Sequence, residues 1–235
     1  MNTAQIISLE DWKRSNEIKL SSKPRDIDFN SKSSVKTPVE ALTKDQIIQL
    51  RDYFFGAEGY FKSMPNNRRN YLYIVLGFNF HRRCGDMCRL KIGDVIENDG
   101  SFKEHVLFRE EKTGKTAVIK ITESSKKAIK EYLDYISSYS LNDWLFPNFK
   151  TGGKMSVDGM RKMLKRTCNK LGFDGKYGTH SVRKAWAYEA INNAESISDE
   201  IAVSQSLNHR DVRTTYAYIG RKQAEMDDLL ERNSL

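Results

Sequence analysis

Long apolar runs are missing from this sequence. Nowhere does it hold the roughly 18 consecutive apolar residues that a bilayer span needs, and no signal-peptide pattern opens it. A cytoplasmic protein with no membrane partner is therefore expected. Cysteine is scarce: Cys84, Cys88 and Cys168 are all the chain has, too few and wrongly spaced for a disulfide framework or a zinc knuckle. Cys84 and Cys88 stand four apart on a predicted helix, so they share a face and pack as small apolar residues. Neither Asp86, Asp94 nor the other acids form a metal-binding cluster, so no metal and no other cofactor is expected. No internal repeat is visible, which excludes a solenoid or propeller.

What the chain has in excess is positive charge. The formal net charge is +8 and the isoelectric point about 9.2. A basic balance favours a polyanionic partner, of which nucleic acid is the commonest.

Periodicity divides the 235 residues into three parts. Residues 1–40 read as an N-terminal arm, with one short helix over Ile6–Leu20 and polar, punctuated runs around Pro24 and Ser31–Ser34. Residues 41–220 read as the folded domain. Thr43 to Gln46 is a capping box ahead of a helix whose apolar face includes Ile47, Leu50 and Phe54. Helices follow over about 68–80, 85–90, 124–139, 156–171, 179–192, 199–207 and 209–218. Segments 102–111 and 116–122 alternate with the strand period around a glycine-containing turn, which predicts a β-hairpin. The fold class is thus α+β: mainly helical, with a small antiparallel sheet. Residues 221–235 read as a tail helix with Met226, Leu229 and Leu230 at helical spacing.

Chemistry concentrates towards the end. Thr179-His180-Ser181-Val182-Arg183, then Leu207-Asn208-His209, then Thr214-Thr215-Tyr216-Ala217-Tyr218 place two histidines, an arginine and a tyrosine close together. Such a set can bind and attack a phosphodiester. A tyrosine hydroxyl is the nucleophile, cationic donors hold the non-bridging oxygens, and imidazole moves protons. His180 and Arg183 are three apart, hence neighbours on one helix face. With Thr179 as N-cap both fall in the first turn, where free backbone N–H groups favour a phosphate and disfavour a protonated imidazole. Helix 156–171 carries Arg161, Lys162, Lys165 and Arg166, which suit a DNA backbone.

These residues resemble the catalytic signature of the tyrosine recombinases, the phage-integrase family. Its pattern H-x-x-R, L-G-H and a tyrosine nine residues on is matched by His180-x-x-Arg183, Leu207-Asn208-His209 and Tyr218. Its first arginine, in R-x-x-(E/D)-x-x-x-L, is matched by Arg83, Asp86 and Leu90. Its K-T-G-K-like turn is matched by Lys112-Thr113-Gly114-Lys115, and its L-F-P linker by Leu145-Phe146-Pro147. The resemblance runs from about Leu42 to about Tyr218. Three departures stand out. Phe80-His81-Arg82 replaces the usual Thr-Gly-Leu, which leaves Arg82 as an alternative first arginine. Asn208 replaces a glycine, and asparagine tolerates left-handed backbone. The arm is short for the family's N-terminal DNA-clamping domain, so the chain is similar to compact members such as the fimbrial-type invertases.

The resemblance implies an enzyme that cuts and rejoins double-stranded DNA through a 3′-phosphotyrosine. Arg83, Lys112, His180, Arg183, His209 and Tyr218 would be catalytic: two arginines as phosphate clamp, His180 as general base, His209 as hydrogen-bond donor, Lys112 as general acid and Tyr218 as nucleophile. Tyr216 and Lys115 are the competing tyrosine and lysine. Asp86 would orient Arg83 or a histidine. Arg161, Lys162, Lys165, Arg166 and Lys115 would contact DNA. A homo-tetramer on synapsed DNA, accessory DNA-bending proteins, a nucleoid-associated location and a tail that docks on the neighbouring protomer are implied likewise. Two other classes share these features: a type IB topoisomerase, and a degenerate, non-catalytic DNA-binding copy.

Overall fold

A computed structural model describes residues 39–56, 65–111, 114–220, 228 and 230–234, all within one compact unit. The expected arm, Lys112 with Thr113, and the tail residues Met226 and Leu229 lie outside these.

Helix α1, Lys44–Gly56, starts at the expected capping box: Gln46 N–H donates to Thr43 Oγ1 at 3.1 Å and Gln46 Oε1 accepts from Thr43 N–H at 3.0 Å. Helix α2, Pro65–Phe80, buries residues on nearly every side, Tyr71, Leu72, Tyr73, Ile74 and Leu76 among them. That is the signature of a central helix rather than an amphipathic one. α1, helix α4 (Glu123–Ile136) and helix α6 (Thr179–Asn192) pack around it. Buried Arg69 on α2 donates to Pro147 O at 2.8 Å, which fastens the Leu145-Phe146-Pro147 segment. Leu145 and Phe146 are themselves fully buried.

The short helix α3, Cys84–Met87, leads to the hairpin. Strand β1, His105–Arg109, pairs antiparallel with β2, Thr116–Lys120, in the register Val106↔Ile119, Leu107↔Val118 and Phe108↔Ala117. Val106 and Phe108 point into the core while Leu107 and Val118 face out, as period-two geometry requires. Gly114 sits at φ +68° in the turn, a conformation open to glycine at no steric cost.

Helix α5, Val157–Lys170, is capped by Ser156, whose Oγ accepts from Gly159 N–H at 3.0 Å. Helices α7 (Ile197–Ser206) and α8 (Val212–Ile219) are capped by Ser196 and Asp211. They pack on α6 through a second apolar cluster of Ala187, Ile191, Val203, Leu207 and Ile219. The larger core holds α1 to α5 and the start of α6. Of the candidate residues, His180 and Arg183 lie on α6, which contributes to both clusters, and Tyr218 on α8 packs against the second.

Candidate active site

Arg83 is the N-cap residue of α3 and its Nη1 donates to Glu110 Oε2 at 2.6 Å. Its side chain keeps a quarter of its surface exposed, whereas the Arg82 side chain keeps none. Arg82 is built into the scaffold instead: it donates to Phe80 O at 3.1 Å and to Ser206 O. Burial foremost, then the charge of Arg183, lowers its pKa to about 10. Of the two adjacent arginines, only Arg83 is presented at the surface.

The N-cap of α6 is Gly178, not Thr179. Ser181 Oγ accepts from Gly178 N–H at 3.0 Å, so the serine three residues on closes the turn and Thr179 becomes the first helical residue. His180 stays in the first turn, but Arg183 begins the second, which corrects the expectation that both share the first. Arg183 is 3% exposed, and its Nη2 donates to Leu207 O at 2.7 Å. Its Nε is buried with no hydrogen-bond partner. Burial is the main cause of its lowered pKa, with Tyr218 opposing.

Leu207-Asn208-His209 is the C-terminal end of α7. Asn208 N–H donates to Gln205 O and His209 N–H to Ser204 O, each at 2.9 Å, with Asn208 at φ +56°. This is a Schellman closure with its left-handed residue at Asn208, and it explains why a glycine or asparagine belongs there. The His209 ring is held by Thr215, whose Oγ1 lies 2.9 Å from Nδ1. Burial first, then the positive charges of Arg183 and Arg83, push its pKa down to about 4, so the ring is neutral at neutral pH.

Tyr218 and Tyr216 stand two apart on α8 and serve different ends. Tyr216 Oη donates to Glu200 Oε2 at 2.6 Å, tying α8 to α7. Tyr218 Oη lies 3.5 Å from His180 Nδ1, and its ring is 5.1 Å from that of His209. Arg183 and Lys184 stand 5.8 and 5.1 Å from the Tyr218 ring centroid. Burial raises the Tyr218 pKa, while Arg183 and Arg83 pull it down. Cations that approach the ring favour the phenolate a nucleophile must become.

Arg83, His180, Arg183, His209 and Tyr218 are thereby linked by contact or charge into one group. Asp86 Oδ1 accepts from Arg89, in the turn that follows α3, at 2.5 Å and from Glu111 N–H at 3.1 Å, while its charge acts on Arg183 and Arg82. The carboxylate on Arg83 is Glu110, which was not anticipated. One signal pointed to it: Glu110 continues the inward alternation Val106, Phe108, and an acid on the buried side of a strand requires a cation. On α5, Arg161 and Lys162 both pair with Asp158, at 2.5 and 2.7 Å, while Lys165, Arg166 and the turn residue Lys115 are exposed. Among the described residues no cluster of three or more His, Cys, Asp or Glu is placed to hold a metal ion. No described helix is long and apolar enough to cross a membrane. A separate cavity of about 620 Å³, lined in part by Tyr132, Trp144 and Phe149, includes none of the candidate residues.

Residues 40–225 match the model of the phage integrase family. The chain is 30% identical over 183 residues to the probable integrase/recombinase YoeC of Bacillus subtilis, covering 78% of this chain and 88% of that one. It is 25% identical to tyrosine recombinase XerC of Halalkalibacterium halodurans, over 91% of this chain and 66% of that protein. Among solved structures, XerA recombinase superposes with a TM-score of 0.60 at 22% identity, over 85% of this chain and 67% of that one. XerH bound to a palindromic difH substrate, a post-cleavage complex, gives 0.61 at 20% identity, over 83% and 54%. The chain thus spans about two thirds of XerC and about half of XerH. Motif order, helical fold and family match agree: this chain belongs to the phage integrase family, the tyrosine recombinases.

Proposed function

We propose that this chain is a site-specific recombinase that breaks and rejoins double-stranded DNA through a 3′-phosphotyrosine on Tyr218. The observation that carries the reading is the placement of Tyr218 Oη 3.5 Å from His180 Nδ1, with Arg183 and His209 around the same ring. Tyr218 Oη attacks phosphorus and the bond to the 5′ oxygen breaks. The phenolic proton passes to His180, and Lys112 protonates the leaving oxygen. Arg83 and Arg183, with His209 as a neutral donor, stabilise the charge that gathers on the equatorial oxygens. The phosphodiester energy is retained in the tyrosyl ester, so a 5′ hydroxyl reverses the reaction on the same or a new partner. Lys115, Lys165 and Arg166 contact the DNA backbone, joined by Arg161 and Lys162 as Asp158 yields them.

The domain division follows: residues 41–220 catalyse, 1–40 form an arm, and 221–235 reach a neighbouring protomer in a tetramer on synapsed DNA, with DNA-bending proteins assisting. The reaction serves integration, excision, inversion or resolution of a DNA element.

The test is covalent trapping in the native host. Detergent-resistant protein–DNA adducts are captured from cells carrying the natural chain, Tyr218→Phe or Tyr216→Phe, and the attached DNA is sequenced. Adducts at one or a few sites, lost with Tyr218→Phe and kept with Tyr216→Phe, are expected. Adducts scattered over the genome would instead indicate a relaxing enzyme of the topoisomerase IB class. Adducts lost only with Tyr216→Phe would assign the wrong nucleophile.

A further inference from the structure

Asn208 does more than its backbone requires. A glycine suits φ +56° as well and closes the same helix end. The asparagine adds an amide, and its Nδ2 donates to Glu110 Oε1 at 2.7 Å. The same carboxylate takes Arg83 Nη1 on Oε2 at 2.6 Å and lies 3.5 Å from Arg82 Nη1. Glu110 is 1% exposed, and its backbone N–H donates to Lys115 O at 2.9 Å across the hairpin turn. Glu110 therefore joins the turn through its backbone, and the surface arginine Arg83 and the helix end that carries His209 through its carboxylate. These partners lie 27 and 98 residues from it in sequence, so only the fold brings them together.

We propose that Glu110 and Asn208 are a coupled pair of positioning residues for the phosphate clamp. Glu110 fixes one edge of the Arg83 guanidinium so that the arginine meets a phosphate already oriented. Asn208 holds Glu110 in place and fastens the His209 turn to the same carboxylate. The physical reason is pre-organisation: an arginine held before binding loses little rotamer freedom on gripping its anion. Around Glu110 stand Arg82 and Arg83 from the segment ahead of α3, and Asn208 from the end of α7. Two cations face one acid. The Asn208 amide occupies the oxygen nearer Arg82 and leaves the other to Arg83. The inference rests on the proposed role of Arg83 as a clamp.

The experiment compares the 235-residue chain with Asn208→Gly, Glu110→Gln and the double variant. Two quantities are read. The first, on DNA-free protein, is the NMR signal of the Arg83 Nε–Hε group. The second is the single-turnover rate of covalent adduct formation on a duplex carrying a site recovered by trapping. Glu110→Gln leaves buried Arg82 poorly compensated and risks the fold. Asn208→Gly keeps both ion pairs and the backbone geometry, so it carries the test alone if the other fails to fold. Asn208→Gly is expected to shift and broaden the Arg83 signal and to slow cleavage about 3- to 10-fold. Glu110→Gln is expected to slow it about 10- to 100-fold, and the double variant no further than Glu110→Gln alone. An Arg83 signal unmoved by Asn208→Gly, or single effects that simply multiply, overturns the coupling. If the unaltered chain forms no adduct, the clamp reading fails by itself, and the Arg83 signal still decides whether the pair holds that arginine.

Discussion

Arg183 carries a charge into a site where it is almost wholly covered. Such burial is costly for a cation unless something repays it. Leu207 O supplies one acceptor, and Nε is left with no protein partner. A phosphate oxygen is the kind of acceptor that a bidentate guanidinium takes best. Arg183→Lys keeps the charge and loses the fork. It should therefore reduce adduct formation by about 100- to 1,000-fold, while affinity for the same duplex changes little, since phosphate contacts elsewhere are retained. Rate and affinity falling together, with a lowered melting temperature, would assign Arg183 to the scaffold. At this scale the spacing of His180, Arg183, His209 and Tyr218 was legible, because motif distances are local. Glu110 was harder to read: the inward alternation of Val106 and Phe108 reaches it, but an acid between two charged neighbours in sequence reads as solvated until the hairpin closes and turns it inward.

Helix α5 shows the same contrast one level up. Its position and basic face were read from the sequence as a helix over 156–171, and the structure trims it to Val157–Lys170 with Ser156 as the cap. Its self-neutralisation was legible too, since Asp158 stands three and four residues before Arg161 and Lys162, yet a count of basic residues alone conceals it. Those pairs are about half exposed on each side and so contribute little to stability. Asp158→Ala should leave the melting temperature nearly unchanged. It should tighten DNA binding at low salt and steepen the salt dependence by about 0.9 for each further phosphate neutralised. A titration of affinity against salt concentration checks this, and an unchanged slope would place α5 away from the DNA. Helix ends were read less well than helix bodies. At α6 the threonine looked like the cap, but the cap falls one residue earlier, on Gly178, whose N–H donates to Ser181 Oγ.

Over the whole molecule, two histidines make stability depend on pH. His81 stacks on Trp186 with ring centroids 3.4 Å apart and bonds Asn79 O and Ser206 Oγ. Burial, with Arg82 adding to it, holds its pKa well below the ordinary 6.5, and His209 is pushed down to about 4. The unfolded chain takes up both protons near 6.5 while the folded chain refuses them. Their contribution is therefore complete above about pH 6.5 and is lost progressively as pH falls towards 4. Denaturant midpoints measured from pH 7.5 to 4.5 should fall across that window, and less steeply in His81→Gln. An equal slope in both proteins would show that His81 is not held neutral by the fold.

The second apolar cluster has a consequence in time. Five buried side chains seat α8 against α6 and α7, whereas α2 is enclosed by the much larger first core. Regions with less buried apolar surface open at lower free energy than the global transition. Backbone amides of Val212–Ile219 should therefore exchange with solvent deuterium sooner than those at the centre of α2, in openings that leave the larger core intact. The segment bearing Tyr218 then has a lifetime of its own, shorter than that of the body it rests on.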